Sequence, residues 1–456
     1  MRSLLYVVLG IAAAALIGLV AYAAPAARVA SAYVGKTLCS EIFIAGRDEA
    51  AVRRDDLVGI DPILPRVRAV VEHARSRVVA SLFGLGRTVV VHRPGYGCTM
   101  VAGGAPVALP PPPPRAPLRP WPSTTIGAPD APKAVDFDAL GEALDAAIAN
   151  ETAKTRALLV VVDGRVVGAR FAPGFSAETP FLSWSMAKSV TATLVGAAAL
   201  KGHLNINEAA PVPEWKGDRR KAAISWNDLL RMQSGLAFSE VYGDPGSDAS
   251  RMLFAARDAG GYAAMRPLIY APGKVFAYSS GTTNLLMRTL RQVLASHGVE
   301  LEAFAHSALF DPIGVSSLVM ERDSSGAPIG SSYMYATVGD WARLGQLYLD
   351  DGRVGNVRIL PEGWVAAATT PAAAADGRYG LQIWLNRPGA ARPRTYPGAP
   401  ETMFYFSGHE GQFVYVVPDR RMIVVRVGAT RGADPETILA PSLAALIAAV
   451  EPRKAP

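Results

Sequence analysis

Residues 181–200 read FLSWSMAKSVTATLVGAAAL, and they set Ser185 and Lys188 three positions apart at the head of an apolar, alanine-rich run. Positions i and i+3 share a helix face, so this hydroxyl and this amine can touch. The positive end of a helix favours developing negative charge, and a lysine beside a serine is one way to turn a sluggish hydroxyl into a nucleophile. The stretch after Lys188, SVTATLVGAAALKGH, is apolar on nearly every side and reaches Gly202 as a C-cap, so the lysine opens a buried helix. A buried lysine must be paired or give up its charge, and an amine that gives it up accepts a proton.

The 456 residues, half of them hydrophobic, suffice for two or three domains or for one large domain with an insertion. A formal net charge of +7 comes without a Lys/Arg run and without aromatics interleaved among basic residues, which argues against a nucleic-acid partner. Between Arg2 and Arg28 the chain reads SLLYVVLGIAAAALIGLVAYAAPAA, uncharged throughout. That stretch fits either an export signal, with small-residue cleavage candidates at 21–24 and 30–32, or a single inner-membrane span, which needs about 20 apolar residues. Both readings place the remainder outside the cytoplasm, in the periplasm or cell envelope. Cys39 and Cys98 are the two cysteines. An oxidising compartment would pair them, the alternative being two buried thiols; no histidine stands at ligand spacing from either, so no metal is expected there.

Four regions follow: a signal or anchor at 1–32, a small preceding module at 33–104, a proline-rich linker at 105–129, and a long domain at 130–456. The segment APVALPPPPPRAPLRPWP (105–122) cannot be helical and reads as an extended strap. Beyond it, FDALGEALDAAIANE (137–151) has helical periodicity, and RALLVVVDGRVVGARF (156–171) reads as a hairpin turning at Asp163-Gly164. At the far end, QFVYVVPDRRMIVVRVG (412–428) reads as two strands around Pro418-Asp419, and DPETILAPSLAALIAAV (434–450) as a closing helix. The expected class is α+β: an antiparallel sheet flanked by terminal helices, with an inserted helical subdomain.

Two further spots carry chemistry. In APGKVFAYSSGTTNLL, a turn at Pro272-Gly273 is followed by Tyr278-Ser279-Ser280. A tyrosine so placed can relay a proton if a lysine cation lies near its phenol. In FSGHEGQFVYVV, His409-Glu410-Gly411 leads into a strand. Gly411 would let backbone approach a substrate, the following amide of Gln412 would supply half of an oxyanion hole, and His409 would donate to a substrate carbonyl or carboxylate. Tyr242, Trp384 and Tyr405 stand in Gly- and Pro-rich loops suited to a cleft rim.

In this order, SxxK, a Tyr-x-Ser element and a glycine-flanked His-Glu-Gly resemble the signatures of the serine β-lactamase and penicillin-binding-protein superfamily. ISWNDLLRMQSGL (224–236) and SSYMYATVGDWARLGQLYLDDG (331–352) are similar to further segments of its class C and esterase-like branch, which includes 6-aminohexanoate-oligomer hydrolases. The resemblance runs from about Asp130 to Val450. It implies a β-lactamase/transpeptidase-like fold, Ser185 as acyl-forming nucleophile, Lys188 as its proton acceptor or as the charge acting on Tyr278, and Tyr278 as proton shuttle. It also implies an oxyanion hole from the amides of Ser185 and Gln412, with Ser280, His409 and Gly411 on the substrate side. Ser280 stands where the superfamily usually has Asn, and His409 where it usually has Lys. The expected function is an exported serine hydrolase acting on a small-molecule ester or amide, without metal or organic cofactor. Two alternatives stay open: a cell-envelope protein that binds peptidoglycan-related ligands with little catalysis, and a β-lactamase or D-alanyl-peptidase.

Overall fold

Strand β5 (Thr155–Val162) is apolar along nearly its whole length because both of its faces are covered. Ala157, Leu159 and Val161 point into one core, and Leu158, Val160 and Val162 into another. The period of two along a strand divides the side chains in this way. The structure, a computed structural model, describes residues 2–101, 107–114, 117, 121, 132–432 and 434–453. The expected linker at 105–129 therefore lies mostly outside the described residues; 107–114 carry no helix or strand.

The described chain forms two compact units. The first comprises residues 1–109 with two later stretches, 239–259 and 322–326. Helix α1 (Arg2–Phe43) runs against a four-stranded antiparallel sheet of β1 (Val67–Glu72), β2 (Arg77–Leu82), β3 (Leu85–Arg93) and β4 (Gly97–Met100), in that order. A disulfide joins Cys39 of α1 to Cys98 of β4. The later stretches are built into this unit: Tyr33 meets Phe254 edge-on at 5.5 Å, and the Arg322 guanidinium lies 4.9 Å from the Tyr96 ring.

Among the described residues, no helix is long and apolar enough to cross a membrane. This overturns the expected single-span anchor and the inner-membrane location inferred from it. The apolar stretch does not end as a separate segment; it continues as one helix to Phe43, whose later part carries Lys36 and Glu41 and packs on the sheet. Ala30, Ser31 and Ala32, offered above as a cleavage site, are buried inside that packed helix.

The second unit comprises residues 110–238, 260–321 and 327–456. Its six-stranded antiparallel sheet has the order β7-β8-β9-β10-β5-β6, with β6 at Arg165–Phe171, β7 at Trp384–Leu385, β8 at Phe404–Gly408, β9 at Gln412–Val417 and β10 at Met422–Gly428. The β5–β6 hairpin turns at Asp163 and Gly164, both at positive φ (52° and 71°), the geometry of a two-residue hairpin turn. Helix α2 (Phe137–Ala149) and the closing helix α6 (Pro435–Ala448) cover one face. Helices α3 (Met186–Leu200) and α5 (Val338–Leu349) cover the other, and α4 (Ser280–Ser296) packs beside α3. The α+β architecture with an inserted helical region between β6 and β7 is as the sequence indicates.

Arg426 is buried in β10 and spends its guanidinium on backbone and hydroxyls: Nη1 donates to Gly411 O (2.6 Å), Nη2 to Thr430 Oγ1 (2.8 Å) and Ala153 O, and Nε to Thr155 Oγ1 (3.2 Å). Burial pushes its pKa down to about 10, so it remains cationic at neutral pH. Arg426→Met would take a donor from each of these acceptors and leave Gly411 O without the short bond it accepts, at a cost of about 3 kcal/mol. The expected result is a thermal midpoint lowered by several degrees in a scanning melt; an unchanged midpoint would contradict this role.

Candidate active site

Ser185 is presented by a strained turn. Ser183 N donates to Met334 O at 2.8 Å, Met334 N donates back to Ser183 Oγ at 3.2 Å, and Ser183 Oγ donates to Trp184 O at 2.8 Å. So pinned, Trp184 takes φ 43°, a left-handed conformation that costs a bulky residue energy and is commonly kept where function needs it. Ser185 follows as the N-cap of α3, yet its hydroxyl makes no capping bond. It accepts instead from Lys188 Nζ at 2.8 Å. Ser185 keeps 7% of its surface while Lys188 keeps 1%, so the amine is sealed from solvent.

Lys188 Nζ also donates to Ser280 Oγ (3.0 Å) and to Ser331 O (3.2 Å), and each of these acceptors is neutral. The carbonyl of Ser331 is held from α4, where Asn284 Nδ2 donates to Ser331 Oγ (2.9 Å) and Asn284 Oδ1 accepts from Ser331 N (3.2 Å). Sequence reasoning did not single out Asn284 or Ser331. The only signal was the register of Asn284 on α4, and Ser331 lies 143 residues from Lys188. The ring of Tyr278 has its centroid 4.8 Å from Lys188 Nζ. Trp384 (5.4 Å) and Tyr379 (5.9 Å, edge-on) pack against that ring.

The glycine-flanked segment comes to the same place. A side chain on Gly408 would collide with Ser183 O and stand 3.2 Å from Ser185 N, so the end of β8 lies directly against the Ser183–Ser185 turn. His409 meets the Trp184 ring edge-on at 5.2 Å. Gly411 has another cause than the one expected: it sits at φ 83°, and its side-chain space is filled by the Arg426 guanidinium. The glycine that permits close approach at Ser185 is Gly408. Glu410, at φ 60°, is paired with Arg431 (3.1 Å between Oε2 and Nη2). The Gln412 side chain is committed to the scaffold: Nε2 donates to His409 O (3.1 Å) and Gly428 O (2.7 Å), and Oε1 accepts from Gly428 N (3.1 Å).

Of the three rim aromatics, Trp384 touches Tyr278, and Tyr242 belongs to the first unit. Tyr405 is buried under α6, its hydroxyl 3.3 Å from Glu436 Oε1, on the sheet face away from α3. Among the described residues, no group of three or more His, Cys, Asp or Glu is placed to hold a metal ion.

Residues 144–449 match the family model described as Beta-lactamase. The chain belongs to that family. A curated relative, the 6-aminohexanoate-dimer hydrolase of Paenarthrobacter ureafaciens, is 28% identical over 223 residues, which cover 46% of this chain and 56% of the relative. The match thus spans little more than half of that protein's length. A solved Bacillus anthracis structure, provisionally named a 6-aminohexanoate-dimer hydrolase, superposes with a TM-score of 0.58 at 22% identity, covering 73% of this chain and 87% of its own. A family VIII carboxylesterase superposes with a TM-score of 0.53 at 16% identity, covering 69% and 96%. These two likenesses bear on the fold.

His409 as a residue is exposed, but its ring lies in the crowded turn against Trp184. Loss of water around the ring lowers its pKa, with Glu410 opposing and Arg431 reinforcing the shift. An NMR titration of the His409 ring should give a midpoint below the ordinary imidazole value of about 6.5; a midpoint above it would contradict the desolvated placement.

Proposed function

We propose that this chain is a serine hydrolase that cleaves a small ester or amide through a covalent acyl-enzyme on Ser185. The observation that carries the reading is the hydrogen bond of 2.8 Å from Lys188 Nζ to a serine hydroxyl that caps nothing, with the Tyr278 ring 4.8 Å from the same nitrogen. In acylation Lys188 acts as the neutral amine, so that along the 2.8 Å contact Ser185 Oγ–H donates to Nζ. Ser185 Oγ then bonds to the substrate carbonyl carbon and its proton passes to Lys188 Nζ. The carbonyl π electrons move onto oxygen, and the resulting oxyanion is met by the amides of Ser185 and Gln412 at the positive end of α3. When the tetrahedral species collapses, the bond to the leaving group breaks and Tyr278 delivers a proton to it. Water then enters by the same route in reverse, losing its proton to the Lys188–Tyr278 pair and releasing the acid and free Ser185.

The choice of ester and amide agrees with the chemistry in the relatives' names, hydrolysis of an amide dimer and of carboxylesters. His409, exposed beside Trp184, is assigned to the substrate side, and Ser280, fully buried, acts on the site as a hydrogen-bond acceptor of Lys188. Asn284 acts one step back, as a positioning residue whose grip on Ser331 fixes one acceptor of Lys188.

Hydrolysis of 4-nitrophenyl acetate and butyrate by purified protein tests this assignment. Ser185→Ala should abolish turnover, and Lys188→Ala and Tyr278→Phe should each lower kcat by about a hundredfold or more. Asn284→Ala should lower kcat by about tenfold with KM little changed, partly restored in Asn284→Asp, which keeps one acceptor. Wild-type rates in Ser185→Ala would overturn the mechanism.

A further inference from the structure

We propose that Gln382 is a positioning residue for the proton relay, holding the Tyr278 ring beside Lys188 through Tyr379 and Trp384. The inference rests on the acyl-enzyme reading above and adds a residue to it. Tyr278 stands in a stretch, 275–279, that forms neither helix nor strand, so its ring takes its place from what packs against it. Trp384 lies 5.4 Å from that ring and Tyr379 5.9 Å, and these two meet each other edge-on at 5.0 Å. They are the two ends of one tight turn: Tyr379 and Trp384 pair as an antiparallel bridge, and Gly380 N donates to Ile383 O at 2.9 Å. Gln382 stands inside that turn.

Every polar group of Gln382 is spent on a neighbouring element. The residue is buried and sits at φ 56°, a left-handed conformation uncommon for a residue with a side chain. Its carbonyl accepts from Ser189 Oγ (2.7 Å), on α3 directly after Lys188. Oε1 accepts from Thr283 Oγ1 (2.7 Å), on α4 three positions after Ser280. The backbone amide donates to Leu230 O (3.1 Å), and Nε2 donates to Leu229 O (3.2 Å) and Leu230 O (2.9 Å). An amide side chain can accept from one element and give both hydrogens to another, which a hydroxyl or an ammonium cannot do. The segment it grips at Leu229 and Leu230 also anchors the Tyr278 stretch, because Ala277 N donates to Met232 O at 2.9 Å. Tyr278 is thus fixed twice through one residue, from its own backbone by way of Met232 and from its ring partners by way of the turn. Both are tied to the helices that carry Lys188 and Ser280. A strained backbone inside a fully satisfied polar network persists only where the surroundings determine it, and is common where geometry serves function.

Gln382→Met keeps the length of the side chain and removes its polar end. Both carbonyls that lose Nε2 keep a backbone donor, Leu229 O from Met232 N (3.2 Å) and Leu230 O from the amide of residue 382 (3.1 Å), so neither is left bare. Steady-state hydrolysis of 4-nitrophenyl butyrate gives kcat and KM for four proteins: wild type, Gln382→Met, Tyr278→Phe and the double variant. Gln382→Met should lower kcat by about tenfold with KM changed less than about twofold. In the Tyr278→Phe background the same change should lower kcat by less than about twofold, because the hydroxyl it positions is already gone, whereas general damage to the fold would cost the same factor in both backgrounds. Thr283→Val, which removes only the donor to Oε1, should give the same pattern at smaller size, and it carries the test if Gln382→Met does not fold. Wild-type kcat in Gln382→Met and Thr283→Val, or an equal loss in both backgrounds, overturns the positioning role and leaves the acyl-enzyme reading intact. Wild-type turnover in Tyr278→Phe overturns the relay and this inference with it.

Discussion

One hydrogen bond organises the candidate site: Lys188 Nζ to Ser185 Oγ, made inside protein at the first turn of α3. A lysine sealed from water must have its donors answered, because an unanswered buried donor costs more than the bond would have contributed. The chain answers them from three directions, with the Ser185 hydroxyl, with Ser280 at the head of α4, and with the carbonyl of Ser331. Each answer fixes a distant element relative to α3. The geometry around Lys188 and the local packing are therefore one constraint, and Asn284, which does not touch Lys188 itself, is drawn into it through Ser331.

The sheet supplies the rigid reference. Its two buried faces divide the side chains of β5, β9 and β10 between separate cores, so a one-residue slip in register would exchange the cores and is strongly disfavoured. That fixed register sets the end of β8 against the Ser183–Ser185 turn, where only a glycine fits at 408. Arg426 performs the matching task at the next bend, filling the space beside Gly411 and donating to its carbonyl. The Trp184 backbone at positive φ follows Ser183, which is bonded to Met334 and donates to Trp184 O, and the Trp184 ring meets that of His409.

Much of this was legible in the sequence where local spacing carries the information. The i, i+3 pair at 185 and 188, the Asp163-Gly164 turn and the two-strand pattern at 412–428 depend on neighbours a few positions away, and the structure has them as read. What was not legible depends on pairs brought together only by folding. Ser331 meets Lys188 across 143 residues, and nothing local marks its carbonyl as an acceptor. Gly411 looked like a glycine kept for a substrate because the arginine that fills its space stands 15 positions on in another strand. Tyr405 looked like a rim residue because a loop rich in Gly and Pro precedes it, yet strand alternation turns it under α6. The reading of the amino-terminal run as a membrane anchor misled for a related reason: hydropathy measures a window, whereas the helix continues into a packed module stapled by Cys39–Cys98.

The most direct measurement is covalent trapping. Purified protein treated with a fluorophosphonate, digested and mapped by mass spectrometry should carry a single adduct on the peptide containing Ser185, and Lys188→Ala should slow its formation severely. Folded protein that stays unlabelled, or that carries its adduct on another residue while Ser185 remains free, would contradict the assignment of Ser185 as the nucleophile.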